Sequence, residues 1–164
     1  MSTGKHIQQQ RGLFYEELES GIIYRHAPGR TLDDGDNTLF SALTMNPASV
    51  HSDAHANVDN EFGQRLVNSL LTLSTLVGLS VAQMTQQTLI ANLGFTEVRF
   101  PAPVFSGDTL YAESEVLEKR LSNSRQHAGI VLLEHRGYNQ RGELVVVARR
   151  HSMMQRQPGE EVEA

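Results

Sequence analysis

Residues 46–55 read Asn-Pro-Ala-Ser-Val-His-Ser-Asp-Ala-His, a polar loop with an imidazole at His51 and a carboxylate two residues on at Asp53. The loop runs towards residues 66–81, which are apolar nearly all round at helical spacing, the pattern of a helix wrapped by other structure. A histidine ahead of such a helix sits near backbone N–H groups that have no partner within the helix. An imidazole exchanges protons near neutral pH, so the pairing with fixed donors suits acid–base catalysis. Metal binding is the rival use of the same residues. His51, Asp53 and His55 form an H-x-D-x-H string whose side chains share one face only on a strand, whereas on a helix Asp53 turns away from the two histidines. No metal site is expected.

The elements around this loop follow from its flanks. Residues 21–26 are β-branched and aromatic and stop at Pro28-Gly29, which reads as a strand and a turn, with His26 an exposed strand residue. The acidic run at 31–36 supplies helix caps, and Leu39, Phe40 and Leu43 give a short helix over 36–45 one apolar face. Pro47 ends it. A helical patch over 54–60 and Phe62-Gly63 precede the long helix. Strands follow at 89–95, 97–100, 109–116, 129–138 and 143–153, with Asp108 as a turn residue and a hairpin connection at Asn139-Gln140-Arg141-Gly142. This is an α+β layout in which an antiparallel sheet wraps around one long central helix.

Composition narrows the function. The 164 residues suit a single domain, 1–164, with an ordered core of about 13–154, a loose arm over 1–12 and an acidic tail over 155–164. With no cysteine there is no disulfide, thiolate metal site or cysteine nucleophile. A net charge of −5 without a basic run argues against nucleic acid. The apolar stretch 66–84 is too interrupted by polar residues to span a membrane, and the N-terminus has no secretory apolar segment. A cytoplasmic protein is expected.

The polar histidine loop, the buried helix and the segment Phe100-Pro101-Ala102-Pro103-Val104-Phe105-Ser106-Gly107-Asp108-Thr109-Leu110 together resemble the MaoC-type hot-dog dehydratases, which include the (R)-specific enoyl-CoA hydratases. The similarity covers roughly residues 20–154. It is most specific at Pro103-Val104 and Gly107-Asp108-Thr109-Leu110. Ala91-Asn92-Leu93-Gly94-Phe95, Lys119-Arg120-Leu121-Ser122-Asn123-Ser124-Arg125 and Gly129-Ile130-Val131 are similar to the mesaconyl-CoA and itaconyl-CoA hydratase branch. The resemblance implies a hot-dog fold, a homodimer or higher homo-oligomer whose two sheets join, and a CoA thioester bound between subunits as substrate. It implies no further cofactor.

The family pattern places an aspartate five positions before the histidine. Here that position is Asn46, and the Asn-Pro pair is shifted to Asn46-Pro47. Hydration of an α,β-unsaturated thioester needs a base for water, a proton for Cα and donors for the enolate oxygen. His51 suits the first role. Asn46 holds the water through its amide oxygen but cannot give an acidic proton, so either His51 returns the proton or another acid helps, with Asp53 nearest in sequence. By similarity the enolate donor is the backbone N–H of Ser69, with Asn68 beside it at the substrate. Arg99, Lys119, Arg120, Arg125 and Arg149 are candidates for CoA phosphates or a substrate carboxylate. Ser124 and Arg125 stand out because they lie in the branch-like segment. The expected function is hydration or dehydration of a short enoyl-CoA or 3-hydroxyacyl-CoA, such as mesaconyl-CoA or itaconyl-CoA. The alternatives are a hot-dog thioesterase and a non-catalytic acyl-CoA-binding subunit.

Overall fold

Asp33 and Asp36 accept each other's backbone N–H groups at 2.8 and 3.2 Å, a capping box that starts helix α1 (Asp34–Leu43). This is the capping use expected of the acidic run. The computed structural model describes residues 9–158, so most of the expected arm and the last six residues of the expected tail lie outside the described residues. Two short strands, β1 (Ile23–Arg25) and β2 (Arg30–Thr31), precede α1. The inward face of α1 is polar, contrary to the expected apolar one: Asn37 and Ser41 are buried, while Leu39 and Leu43 are exposed. The inward positions face backbone groups that need partners, and Asn37 supplies them.

A single helical turn, α2 (Ser49–Ser52), carries His51, and the helical patch expected over 54–60 is instead a run of turns. Buried Asn57 shapes those turns by donating to the carbonyls of Ser49 and Asp53 at 2.8 and 2.6 Å. The central helix α3 spans Ser69–Ser80 and starts three residues later than expected. Leu66 and Val67 remain extended because residues 104–105 offer them strand-like partners: Leu66 bridges Phe105, and the Val67 N–H donates to the Val104 carbonyl at 2.9 Å. Asn68 then caps α3, its side-chain oxygen accepting the Leu70 N–H at 3.0 Å. Within the chain Thr72, Leu76 and Ser80 form the fully buried stripe of α3, spaced i, i+4, i+8, and Leu70 stays exposed. A π-helical turn, Val81–Thr85, continues the helix, and Gln87 at φ 64° ends it.

Four long strands follow: β3 (Leu89–Arg99), β4 (Thr109–Leu121), β5 (Ala128–Tyr138) and β6 (Leu144–Gln155). β3 is continuous where two segments were expected, the interruption being absorbed by bulges. Gln155, assigned to the tail by sequence, is the last residue of β6 and donates to the Thr88 carbonyl at 2.8 Å. At the other end Gly12 is buried, with its N–H on the Gln86 carbonyl at 2.8 Å. The sheet order is β1-β4-β5-β6-β3, antiparallel throughout, with β3 at a free edge. α3 packs on one face of this sheet, the arrangement of the hot-dog fold. Among the described residues no helix is long and apolar enough to cross a membrane.

The core under α3 is divided. Leu76, Leu110, Ala112, Val146 and Ala148 form one apolar cluster, and Met84, Val116, Val131, Leu133 and Met154 form the other. Between them runs a polar row of Ser114, His135 and Arg150, each buried on the inward face of its strand. His26 joins this row. It is 7% exposed, not the exposed strand residue expected, because Gln83 and Ser114 satisfy both ring nitrogens at 2.7 and 2.8 Å.

Candidate active site

His51 is the third residue of α2, and its Nδ1 lies 3.0 Å from the Leu66 carbonyl oxygen. A carbonyl only accepts, so Nδ1 carries the hydrogen and Nε2 of the neutral ring keeps its lone pair. The ring orientation follows from how α2 is tied down. The Leu66 N–H donates to the Val50 carbonyl at 2.9 Å. Asn37, 3% exposed, donates its amide hydrogens to the carbonyls of His51 and Leu66 at 3.2 and 3.1 Å, and accepts the Asn68 N–H at 2.8 Å. One side chain thus joins the histidine turn, the carbonyl that orients the ring and the cap of α3. Sequence reasoning missed Asn37. The signal was an Asn and a Ser at i, i+4 in an otherwise amphipathic helix.

His51 and Ser69 line one cleft of about 300 Å³, with Thr72 and the apolar side chains of Phe62, Leu66, Phe100 and Val104. Ser69 is the first residue of α3, and its N–H has no acceptor among the described residues. An unpaired N–H at a helix start is a donor for developing negative charge. The cleft wall from Phe100 to Val104 is fixed from behind by Asp108, which accepts from the Phe105 N–H, the Gln140 amide and Arg141 at 3.0, 2.7 and 3.0 Å. Burial pushes the Asp108 carboxyl up, but these donors outweigh it and hold it below its ordinary value. The turn residue of the sequence reading is therefore a buried anchor.

On the other side of His51 lies a second cleft of about 510 Å³, where Asn46, Thr38 and Ser52 join it. The Asn46 amide oxygen, expected on a water, accepts the Ala48 N–H at 3.0 Å and so forms the turn into α2. Its second lone pair and its amide N–H groups remain for a ligand. Asp53 lines neither cleft; its carboxylate caps the next turn through the Ala56 N–H at 2.9 Å. Asn68 is buried as the helix cap. Arg99 is exposed and pairs with Glu97. Arg149 pairs with Glu134 and Glu97 at 2.7 and 3.0 Å, while Lys119 donates to the carbonyls of Tyr15 and Leu18 at 2.8 and 2.7 Å. Ser124 and Arg125 lie in the turn between β4 and β5, at the end of the sheet where Leu121 pairs with Gly129. The His51 cleft adjoins the opposite end, after Arg99, so within one chain these two residues do not meet His51.

The sequence profile of the MaoC like domain matches residues 19–139. The chain belongs to the MaoC-like domain family. Among curated relatives, this MaoC-like domain is 33% identical over 146 residues to a mesaconyl-CoA hydratase of Cereibacter sphaeroides, covering 85% of the chain and 40% of the relative. It is 31% identical over 135 residues to a beta-methylmalyl-CoA dehydratase of Chloroflexus aurantiacus, covering 82% of the chain and 38% of the relative. The chain thus spans about two fifths of the length of the curated relatives it matches. The crystal structure of a putative MaoC domain protein dehydratase from Chloroflexus aurantiacus superposes with a TM-score of 0.83 at 28% identity, over 93% of this chain and 43% of that one.

Proposed function

We propose that this MaoC-like domain adds water reversibly across the double bond of a short α,β-unsaturated acyl-CoA, with a branched dicarboxylyl ester such as mesaconyl-CoA or itaconyl-CoA as substrate. The observation that carries the reading is the cleft that His51, its Nδ1 held on the Leu66 carbonyl, shares with Ser69, whose N–H has no acceptor among the described residues. With the thioester oxygen on the Ser69 N–H, the charge that develops as water attacks Cβ falls on a preset donor. His51 Nε2 takes the proton of that water as its oxygen bonds to Cβ. The imidazolium returns a proton to Cα as the enolate collapses to the thioester, so one water is added and the ring is regenerated. Asp53 lines neither cleft and spends its carboxylate on the Ala56 N–H, which leaves His51 to serve in both directions. Similarity to the mesaconyl-CoA hydratase and the beta-methylmalyl-CoA dehydratase supports the dicarboxylyl class.

The acting unit of this proposal is a homodimer. β3 ends the sheet with an unpaired edge, Leu93 and Phe95 on it are exposed, and so are Leu39, Leu43 and Met45 beside the second cleft. Free edges and apolar patches of this kind call for a covering surface. Each relative is more than twice as long as the part this chain matches, leaving room for two such units in one polypeptide.

The test is a panel of enoyl-CoA esters, mesaconyl-CoA, itaconyl-CoA and crotonyl-CoA, followed both by loss of the conjugated thioester and by release of free CoA. Loss of conjugation without CoA release is expected. CoA release without hydration would make the protein a thioesterase, and neither change would make it a binding subunit.

A further inference from the structure

Arg150 is the only fully buried cationic side chain among the described residues, 2% exposed, and no carboxylate pairs with it there. Its Nε–H donates to His135 Nε2 at 2.9 Å. That one contact sets the direction of a chain of hydrogen bonds across the core. His135 must then donate from Nδ1 to Ser114 Oγ (2.6 Å), Ser114 to His26 Nε2 (2.8 Å), and His26 from Nδ1 to Gln83 Oε1 (2.7 Å). The chain fixes the guanidinium by its Nε edge only. Nη2 is buried without an acceptor among the described residues, and so is the hydroxyl of Ser152, two residues further along the same inward face of β6. An unpaired buried cation carries a large desolvation penalty, and apolar residues of similar volume commonly serve a core better.

We propose that Arg150 and Ser152 form a buried site for a small carboxylate, which would accept from Arg150 Nη2 and the Ser152 hydroxyl. Guanidinium suits a carboxylate because its planar donors match the two oxygens. The site lies on the sheet face covered by α3, whose first turn lines the His51 cleft, and on the strand whose Val145 lines that cleft too. The carboxylate has two possible sources: a free carboxylate from solution, or the far carboxylate of a dicarboxylyl thioester. The second source rests on the function proposed above. The other arginines that the sequence offered as substrate contacts already hold carboxylates or stand at the far end of the sheet.

Two measurements on the full chain decide the matter. The first is the melting temperature of wild type and Arg150→Met against sodium formate at constant ionic strength. Formate should raise the wild-type value by a few degrees, as expected of a ligand that binds only the folded state, and Arg150→Met should abolish the shift. The second is kcat/KM for mesaconyl-CoA and for crotonyl-CoA, which lacks the far carboxylate. If the substrate supplies the group, Arg150→Met should lose at least about tenfold more on mesaconyl-CoA than on crotonyl-CoA, mostly through KM. Equal losses together with a formate shift assign the site to a free carboxylate. Equal losses together with no formate shift that depends on Arg150 overturn the site. Should Arg150→Met fail to fold, Ser152→Ala is read by the same two measurements and the same criteria. Inactivity of the wild type on both thioesters would overturn the proposed hydratase, while the formate measurement would still decide the site.

Discussion

Asn37 and His51 are joined through the backbone: the Asn37 amide donates to the His51 carbonyl at 3.2 Å and, at 3.1 Å, to the Leu66 carbonyl that also receives His51 Nδ1–H. The same side chain accepts the Asn68 N–H. The His51 turn and the start of the helix that begins at Ser69, the proposed base and enolate donor, are therefore held together by one buried amide. Asn37→Leu should lower kcat by roughly ten- to a hundredfold, the scale of a small misplacement of reacting groups, with a smaller change in KM. It should also cost about 1–3 kcal/mol of stability for each backbone group left unpaired. Steady-state kinetics and urea unfolding on the same preparation measure both. A fall in stability with kcat unmoved would reduce Asn37 to a packing role.

Ser69 allows its backbone donor to be removed alone. It is the first residue of α3, where proline is tolerated, and Asn68 at φ −58°, ψ 126° already has the conformation that precedes a proline. Ser69→Pro should reduce kcat by roughly a hundred- to a thousandfold, as for loss of one oxyanion donor, with circular dichroism near wild type. Ser69→Ala keeps the N–H and should cost far less. Comparable losses in the two variants would mean that the hydroxyl, not the N–H, matters.

His51→Ala should lower turnover by roughly two to four powers of ten, with ligand affinity little changed. Asn46→Asp keeps the acceptor for the Ala48 N–H but trades its amide donors for a negative charge beside His51. It should slow hydration of a dicarboxylyl ester more than that of crotonyl-CoA, because like charges repel. Turnover by His51→Ala equal to wild type on every active substrate would remove the cleft from consideration.

Acid stability should carry the signature of the polar row. Burial first, then the charges of Arg150 and His26, lower His135 from an ordinary 6.5 to about 3. As pH falls below 6.5 the unfolded chain takes up a proton that folded His135 refuses until about 3, so stability declines across that window. His26 is lowered as well, by burial chiefly, and adds a contribution of the same sign. His135→Gln retains an acceptor for Arg150 and a donor for Ser114. At pH 5 it should unfold with about one fewer proton taken up than wild type, read from the pH dependence of urea midpoints. An unchanged slope would mean that His135 is already protonated in the folded protein.

By itself the sequence determined the broad layout and the family, because both are written locally. Alternation marked the later strands, the helical run marked α3, and the 100–110 segment carried the resemblance. His51 was legible for the same reason, as an ionisable side chain placed ahead of a long apolar helix. Tertiary structure decided what depends on partners distant in the chain. Leu66 and Val67 look helical in isolation, yet the extended backbone at Val104 and Phe105 supplies their hydrogen bonds and delays α3 to Ser69. Leu39 and Leu43 look like a core face, yet Asn37 turns inward because carbonyls 14 and 29 residues further along the chain need a donor, and Ser41 one helical turn on is buried with it. Asp53, two residues from His51 in the same loop, spends its carboxylate on the Ala56 N–H of its own turn. The polar row joins Gln83, His26, Ser114, His135 and Arg150, residues scattered over four elements and the loop after β1. No local pattern can announce it, since only a folded sheet brings those donors and acceptors within reach of one another.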